Sequence, residues 1–192
     1  MEPSAYKRIT KEHISINISF IFLCIKILIS LKSNFLNMKT AQQWFDEYAI
    51  SHQNETNQLV HYICVPVIFF SVIGLLMSIP TTFLESTFGL YNPLVENWAA
   101  IIGVLISFFY LRLGFWYFIE MLFVMLLCII GNFWLGNNMN LLYASITIFV
   151  IGWIGQFWGH KIEGKKPSFA KDLQFLLIGP LWVFQKLGNK KK

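Results

Sequence analysis

This sequence predicts an all-α, multi-pass membrane bundle of four spanning helices, with interfacial helices at both ends, on three observations. Apolar residues make up 56 % of the 192 residues and charged residues only 13 %, against roughly 25 % charged in an ordinary soluble domain. The apolar residues gather into four stretches, Tyr62–Ile79, Val95–Leu111, Phe115–Leu135 and Leu141–Gly159, each near the roughly 17–25 residues that a spanning helix requires. From Lys39 onward, every Lys and Arg falls where alternating spans put one face of the membrane. Lys39 precedes the first span, Arg112 lies between the second and third, and eight lysines follow the fourth (Lys161, Lys165, Lys166, Lys171, Lys186, Lys190, Lys191 and Lys192). The connections Pro80–Leu94 and Gly136–Asn140 carry none. By the positive-inside rule the basic face is cytoplasmic, which puts both ends of the four-span core there.

The net charge of +5 does not suggest nucleic acid, because the basic residues sit at segment ends, where they set topology and meet anionic headgroups. Cys24, Cys64 and Cys128 lie far apart inside apolar stretches. That pattern argues against a disulfide framework and against a thiolate metal site.

Three regions are expected along the chain. Residues 1–37 form an N-terminal extension or an interfacial helix: Ile14–Leu31 is apolar but interrupted by Lys26, and spanning would force Lys7, Arg8 and Lys11 outside. Met38 is a plausible start for the domain, which runs over 38–188, and 189–192 is a basic tail. Within the domain, Thr40–Ser51 reads as an amphipathic interfacial helix capped by Thr40. Ala41, Trp44, Phe45 and Tyr48 form its apolar stripe, with Asp46 and Glu47 opposite. After the fourth span, Ser168 is a candidate cap for a further helix that Pro180 bends or ends. Leu173–Phe184 is too short to span and reads as interfacial or re-entrant.

The chemistry gathers at the basic face. His52 and His61 lie at the start of the first span, and His160 lies at the end of the fourth. On one continuous helix His52 and His61, nine residues apart, would face opposite ways. They can converge only if the chain turns between them, and Gln53–Thr56 is the place for that turn. Asn57 and His61 share a face at i, i+4, and His160 and Glu163 at i, i+3. Imidazoles with a carboxylate suit an iron or zinc site, and open coordination positions would admit O₂ and substrate. The bland reading is that rim histidines meet headgroups, and the chain is then a non-enzymatic membrane protein such as a transporter subunit or an assembly factor. Lys165 and Lys166 could pair with a fatty-acid carboxylate or lipid phosphate, or serve as topology anchors. Asp172 could orient a ligand imidazole or be a surface acid.

Two motifs carry a resemblance. They are Trp44-Phe45-x-x-Tyr48-x-x-x-His52-x-x-x-x-Asn57-x-x-x-His61 followed by Pro66, and Gln156-Phe157-x-Gly159-His160-x-x-Glu163-Gly164-x-x-Pro167-Ser168 with Pro180 further on. Over about Met38 to Phe184 the chain resembles the 2-hydroxy fatty acid dioxygenase family of small multi-pass membrane proteins. The resemblance implies an Fe(II)-dependent α-oxidation that cleaves a long-chain 2-hydroxy fatty acid with O₂ to an acid one carbon shorter, without 2-oxoglutarate. It implies His52, His61 and His160 as iron ligands. The fourth position is left to Glu163, Asn57 or water, with Asn57 and Lys166 as candidate substrate contacts. A bacterial inner membrane and an endoplasmic reticulum both fit, and the Lys-, Asn-, Ile- and Phe-rich composition leans bacterial.

Overall fold

The computed structural model describes residues 39–89, 92–164 and 175–189. The expectations for 1–37, Lys165, Lys166, Ser168, Asp172 and the basic tail fall outside these residues. Among the described residues the ordered elements are all helical.

The first helix, α1 (Ala41–Ile50), forms where the sequence requires it. Thr40 Oγ1 accepts the Gln43 amide hydrogen at 3.3 Å, and Gln43 Oε1 accepts that of Thr40 at 2.9 Å. This reciprocal cap satisfies two donors that the helix leaves open. Ala41, Phe45 and Tyr48 are buried on one face. The chain then turns over 51–54, close to the expected place, because Asn54 caps the next helix: its Oδ1 accepts from Thr56 N at 2.9 Å and from Asn57 N at 3.2 Å.

Helix α2 (Glu55–Met77) therefore begins seven residues before the expected span. Its first turn is polar, Leu59 and Val60 follow, and the uninterrupted apolar run starts at Tyr62. His61 thus sits within the helix rather than ahead of it. A short helix, α3 (Thr82–Phe88), occupies what reads as a loop, and it ends at Gly89 in the left-handed conformation (φ 62°). Helix α4 (Trp98–Leu113) is capped by Asn97, whose Oδ1 accepts from Ala100 N at 2.9 Å. Gly114, at φ 151°, allows the reversal into α5 (Phe115–Asn138). Asn140 caps α6 (Leu141–Glu163), which Gly164 (φ 72°) ends. Helix α7 (Gly179–Asn189) carries Pro180 in its first turn, where the missing N–H costs no helical hydrogen bond.

Three of these helices, α2, α5 and α6, are long and apolar enough to cross a membrane. Helix α4 is apolar but has only 16 residues, about 24 Å at 1.5 Å per residue, against a hydrocarbon core of about 30 Å. The polarity is that of a membrane protein. Phe123, Leu127, Ile130 and Trp134 on α5, and Val150, Ile151 and Ile154 on α6, face outward, whereas Ser71, Asn132 and Ser145 are buried.

Helices α2 and α6 form the most extensive helix pair. Their approach depends on small residues: a Cβ at Gly152 would meet Ile68, one at Gly155 would meet the Cys64 sulfur, and one at Gly159 would meet Asn57 Oδ1. Close backbone approach across such a seam is how helices associate in lipid, where apolar burial drives little. The seam ends at Gly159, and the next residue is His160. Helix α7 packs on α2 beside α1, burying Leu181, Trp182 and Val183.

Candidate metal centre

Three elements deliver three imidazoles to one point: the α1–α2 turn brings His52, α2 brings His61, and the end of α6 brings His160. Each is buried, at 2, 2 and 4 % exposure. Ring centroids are 4.1 Å apart for His52–His61, 5.1 Å for His61–His160 and 5.7 Å for His52–His160. One ring nitrogen from each lies within 4.8 Å of the other two, and the three histidines are the group of this kind found among the described residues. Three ligands each about 2.1 Å from one ion lie about 3.4–3.6 Å from one another, so an inward shift of less than about 1 Å per ring closes the site.

The hydrogen bonds fix the tautomer of His52. His52 Nδ1 lies 2.6 Å from the Tyr48 carbonyl oxygen. A carbonyl can only accept, so Nδ1 carries the hydrogen and the lone pair is on Nε2. Ser51 Oγ lies 3.2 Å from the same nitrogen. His61 Nδ1 is 3.1 Å from the Tyr48 hydroxyl, and its Nε2 is buried without a hydrogen bond. With Nδ1–H donating to that hydroxyl, the Nε2 lone pair would face the cluster, as in metal-binding histidines held by an outer partner. Buried and convergent, these donors fit a resident metal ion.

Glu163 occupies a different place from the ligand position expected of it. Its Oε1 accepts from Gln53 N at 2.9 Å, and its Oε2 accepts from Asn54 N at 2.9 Å and Asn57 Nδ2 at 3.0 Å. The carboxylate thus ties the end of α6 to the α1–α2 turn, at the positive end of α2 where a negative charge is favoured. Asn57 is fully buried in that clamp, with its Oδ1 packed on Gly159. Lys166 and Asp172 lie outside the described residues.

Three residues of the site were not singled out for it by sequence. Tyr48 stacks on His52 with ring centroids 4.0 Å apart and planes 7° apart. The i, i+4 spacing to His52 was the available signal, but Tyr48 reads equally well as part of the apolar stripe. Trp182 lies 5.7 Å from His52 and 4.9 Å from Tyr48, centroid to centroid, and nothing near it in sequence marks it. Gln156 is buried, one turn before His160 on α6. With Tyr48, His61, Trp153 and Phe175 it lines a cavity of about 30 Å³ beside the imidazoles.

A curated relative is the 2-hydroxy-palmitic acid dioxygenase MPO1 of Saccharomyces cerevisiae, 29 % identical over 139 residues, which cover 71 % of this chain and 72 % of the yeast protein. No solved structure matches the chain. The family model described as 2-hydroxy-palmitic acid dioxygenase Mpo1-like matches residues 38–191, and the chain therefore belongs to the Mpo1-like family.

Proposed function

We propose that this protein is an Fe(II)-dependent membrane dioxygenase that shortens a long-chain 2-hydroxy fatty acid by one carbon, with His52, His61 and His160 as the iron ligands. The observation that carries the reading is the meeting of three buried imidazoles from opposite ends of the domain in a chain of this family. Three imidazole nitrogens leave coordination positions for O₂ and for a chelating substrate, which iron accepts and a closed structural zinc site does not. When bound, the iron would supply Lewis acidity and activation of O₂.

The chain's own residues supply the rest. Tyr48 holds two imidazoles in register, one by its carbonyl and stacked ring, the other by its hydroxyl. Glu163 fixes the turn that carries His52 against the helix that carries His160, a positioning role in place of the fourth ligand. The apolar helices offer the acyl chain a dry path to the site, and water exclusion protects reactive oxygen species from side reactions. The carboxylate and 2-hydroxyl would then approach from the rim, at the end where the basic residues put the cytoplasm. Lys166 and Asn57 are the chain's candidates for contacts to that head, and Asp172 for orienting an imidazole.

The test is incubation of the detergent-purified protein with Fe(II), O₂ and 2-hydroxypalmitic acid, with mass spectrometry of the products. The C15 acid is expected from the wild type and not from His61→Ala. Metal-free protein that leaves the substrate intact after Fe(II) loading overturns the reading.

A further inference from the structure

The small cavity that His61 shares with Gln156 lies on the membrane-inward side of the imidazoles. Val65 and Ile68, four and seven residues beyond His61 on α2, form its deeper wall, about 6 to 10 Å further along the helix. Gln156 enters from α6, one turn short of His160, and Phe175 and Leu176 also line the space. Its volume of about 30 Å³ is room for one or two groups the size of a water molecule, and too little for an acyl chain.

Gln156 is only 5 % exposed, yet no hydrogen bond among the described residues holds its carboxamide, and neither amide atom is sealed against a water-sized guest. A buried glutamine in a membrane bundle ordinarily bonds across to a neighbouring helix. Here α2 offers it the apolar side chains of Val65 and Ile68. The other amide near the imidazoles, Asn57, gives its hydrogens to Glu163 at 3.0 Å and to the Ser51 carbonyl at 3.5 Å. The Tyr48 hydroxyl is engaged with His61. A buried amide without a partner costs free energy, and a lone water in this space would meet too few of the roughly three partners that buried waters have. The cavity therefore calls for a polar group carried on an apolar body.

We propose that Gln156 selects the substrate by pairing with its 2-hydroxyl. This inference rests on the dioxygenase reading and names the residue that distinguishes a 2-hydroxy acid from an unsubstituted one. A carboxamide both donates and accepts, and so does a hydroxyl, so each satisfies the other. A carboxylate only accepts, and would leave the amide oxygen bare. With the carboxylate towards the rim, C2 lies one bond deeper, and its hydroxyl is directed to the side where Gln156 waits. An unsubstituted acid leaves the amide unpaired, which is how a site built around a hydroxyl rejects the analogue that lacks it.

The experiment measures binding of 2-hydroxypalmitic acid and of palmitic acid to the full-length protein in detergent, loaded with Fe(II) and kept free of O₂. The wild type is expected to prefer the 2-hydroxy acid. Gln156→Met keeps the length of the side chain and removes its hydrogen bonds. It should lower the ratio of the two affinities by about tenfold or more, the loss expected when a buried group is left unpaired, with palmitic acid binding and iron content unchanged. A merely structural role would weaken both acids alike. An unchanged ratio, an equal loss for both acids, or a wild type without the preference overturns the proposal. Should Gln156→Met fail to fold, Val65→Leu, which adds a methylene to the facing wall, must lower the ratio, and an unchanged ratio there overturns it too. Iron content is read separately, so a wild type that holds no iron marks failure of the dioxygenase reading, whereas bound iron with an unchanged ratio marks failure of this inference alone.

Discussion

Tyr48 lies flat on His52, ring planes 7° apart, and its carbonyl fixes the proton on that imidazole. The same side chain meets His61 through its hydroxyl. One residue thus presents two imidazoles of the centre, and the two contacts can be separated by mutation. Tyr48→Phe keeps the stack and the carbonyl but removes the hydroxyl. Iron affinity is expected to fall roughly 10- to 100-fold, as when an outer-shell partner of a ligand histidine is lost. Competition with a chelator measures it.

Replacing one of the imidazoles should have a larger effect. His61→Ala and His160→Ala are each expected to abolish stoichiometric metal in purified protein and to abolish turnover. Circular dichroism should remain helical, because cap and seam contacts are untouched. Elemental analysis checks the metal content.

Glu163→Gln distinguishes clamp from ligand. The amide can still accept on one oxygen but turns an NH₂ towards donors now held by the carboxylate. A loss of about 1–3 kcal/mol in stability is expected from the hydrogen bonds broken, with metal binding weakened rather than lost. Metal content equal to that of His61→Ala would instead make the carboxylate a ligand.

Gly159→Ala drives a methyl group into Asn57 Oδ1 at the seam of α2 and α6. Overpacking of this kind costs about 1–3 kcal/mol and moves His160 away from His61. A lower melting temperature and weaker metal binding are expected together. Gly188→Ala, where a Cβ meets open space, should change neither.

Much of the site was legible because its signals are local. The Thr40 cap, the stripe of α1 and the need for a turn between His52 and His61 follow from spacing alone. Charge bias placed His160 at the same end as the other two. Span limits were less legible, because Asn54 starts α2 within polar sequence that hydropathy assigns to a loop, and Gly114 cuts α4 to 16 residues. The role of Glu163 was hidden for a different reason. Helical periodicity puts it on the face of His160, but its partners are backbone amides more than 100 residues away. Trp182 reaches His52 only through the packing of α7, which no short-range pattern encodes.

The α2–α6 seam has a consequence for biogenesis. Two ligands are synthesised early and the third only after nearly the whole core, so a nascent chain holds an incomplete donor set until α6 has docked along its row of glycines. On the proposed iron site, cofactor acquisition would therefore be postponed to the last stage of assembly, and prematurely terminated products would lack the donors to capture the ion.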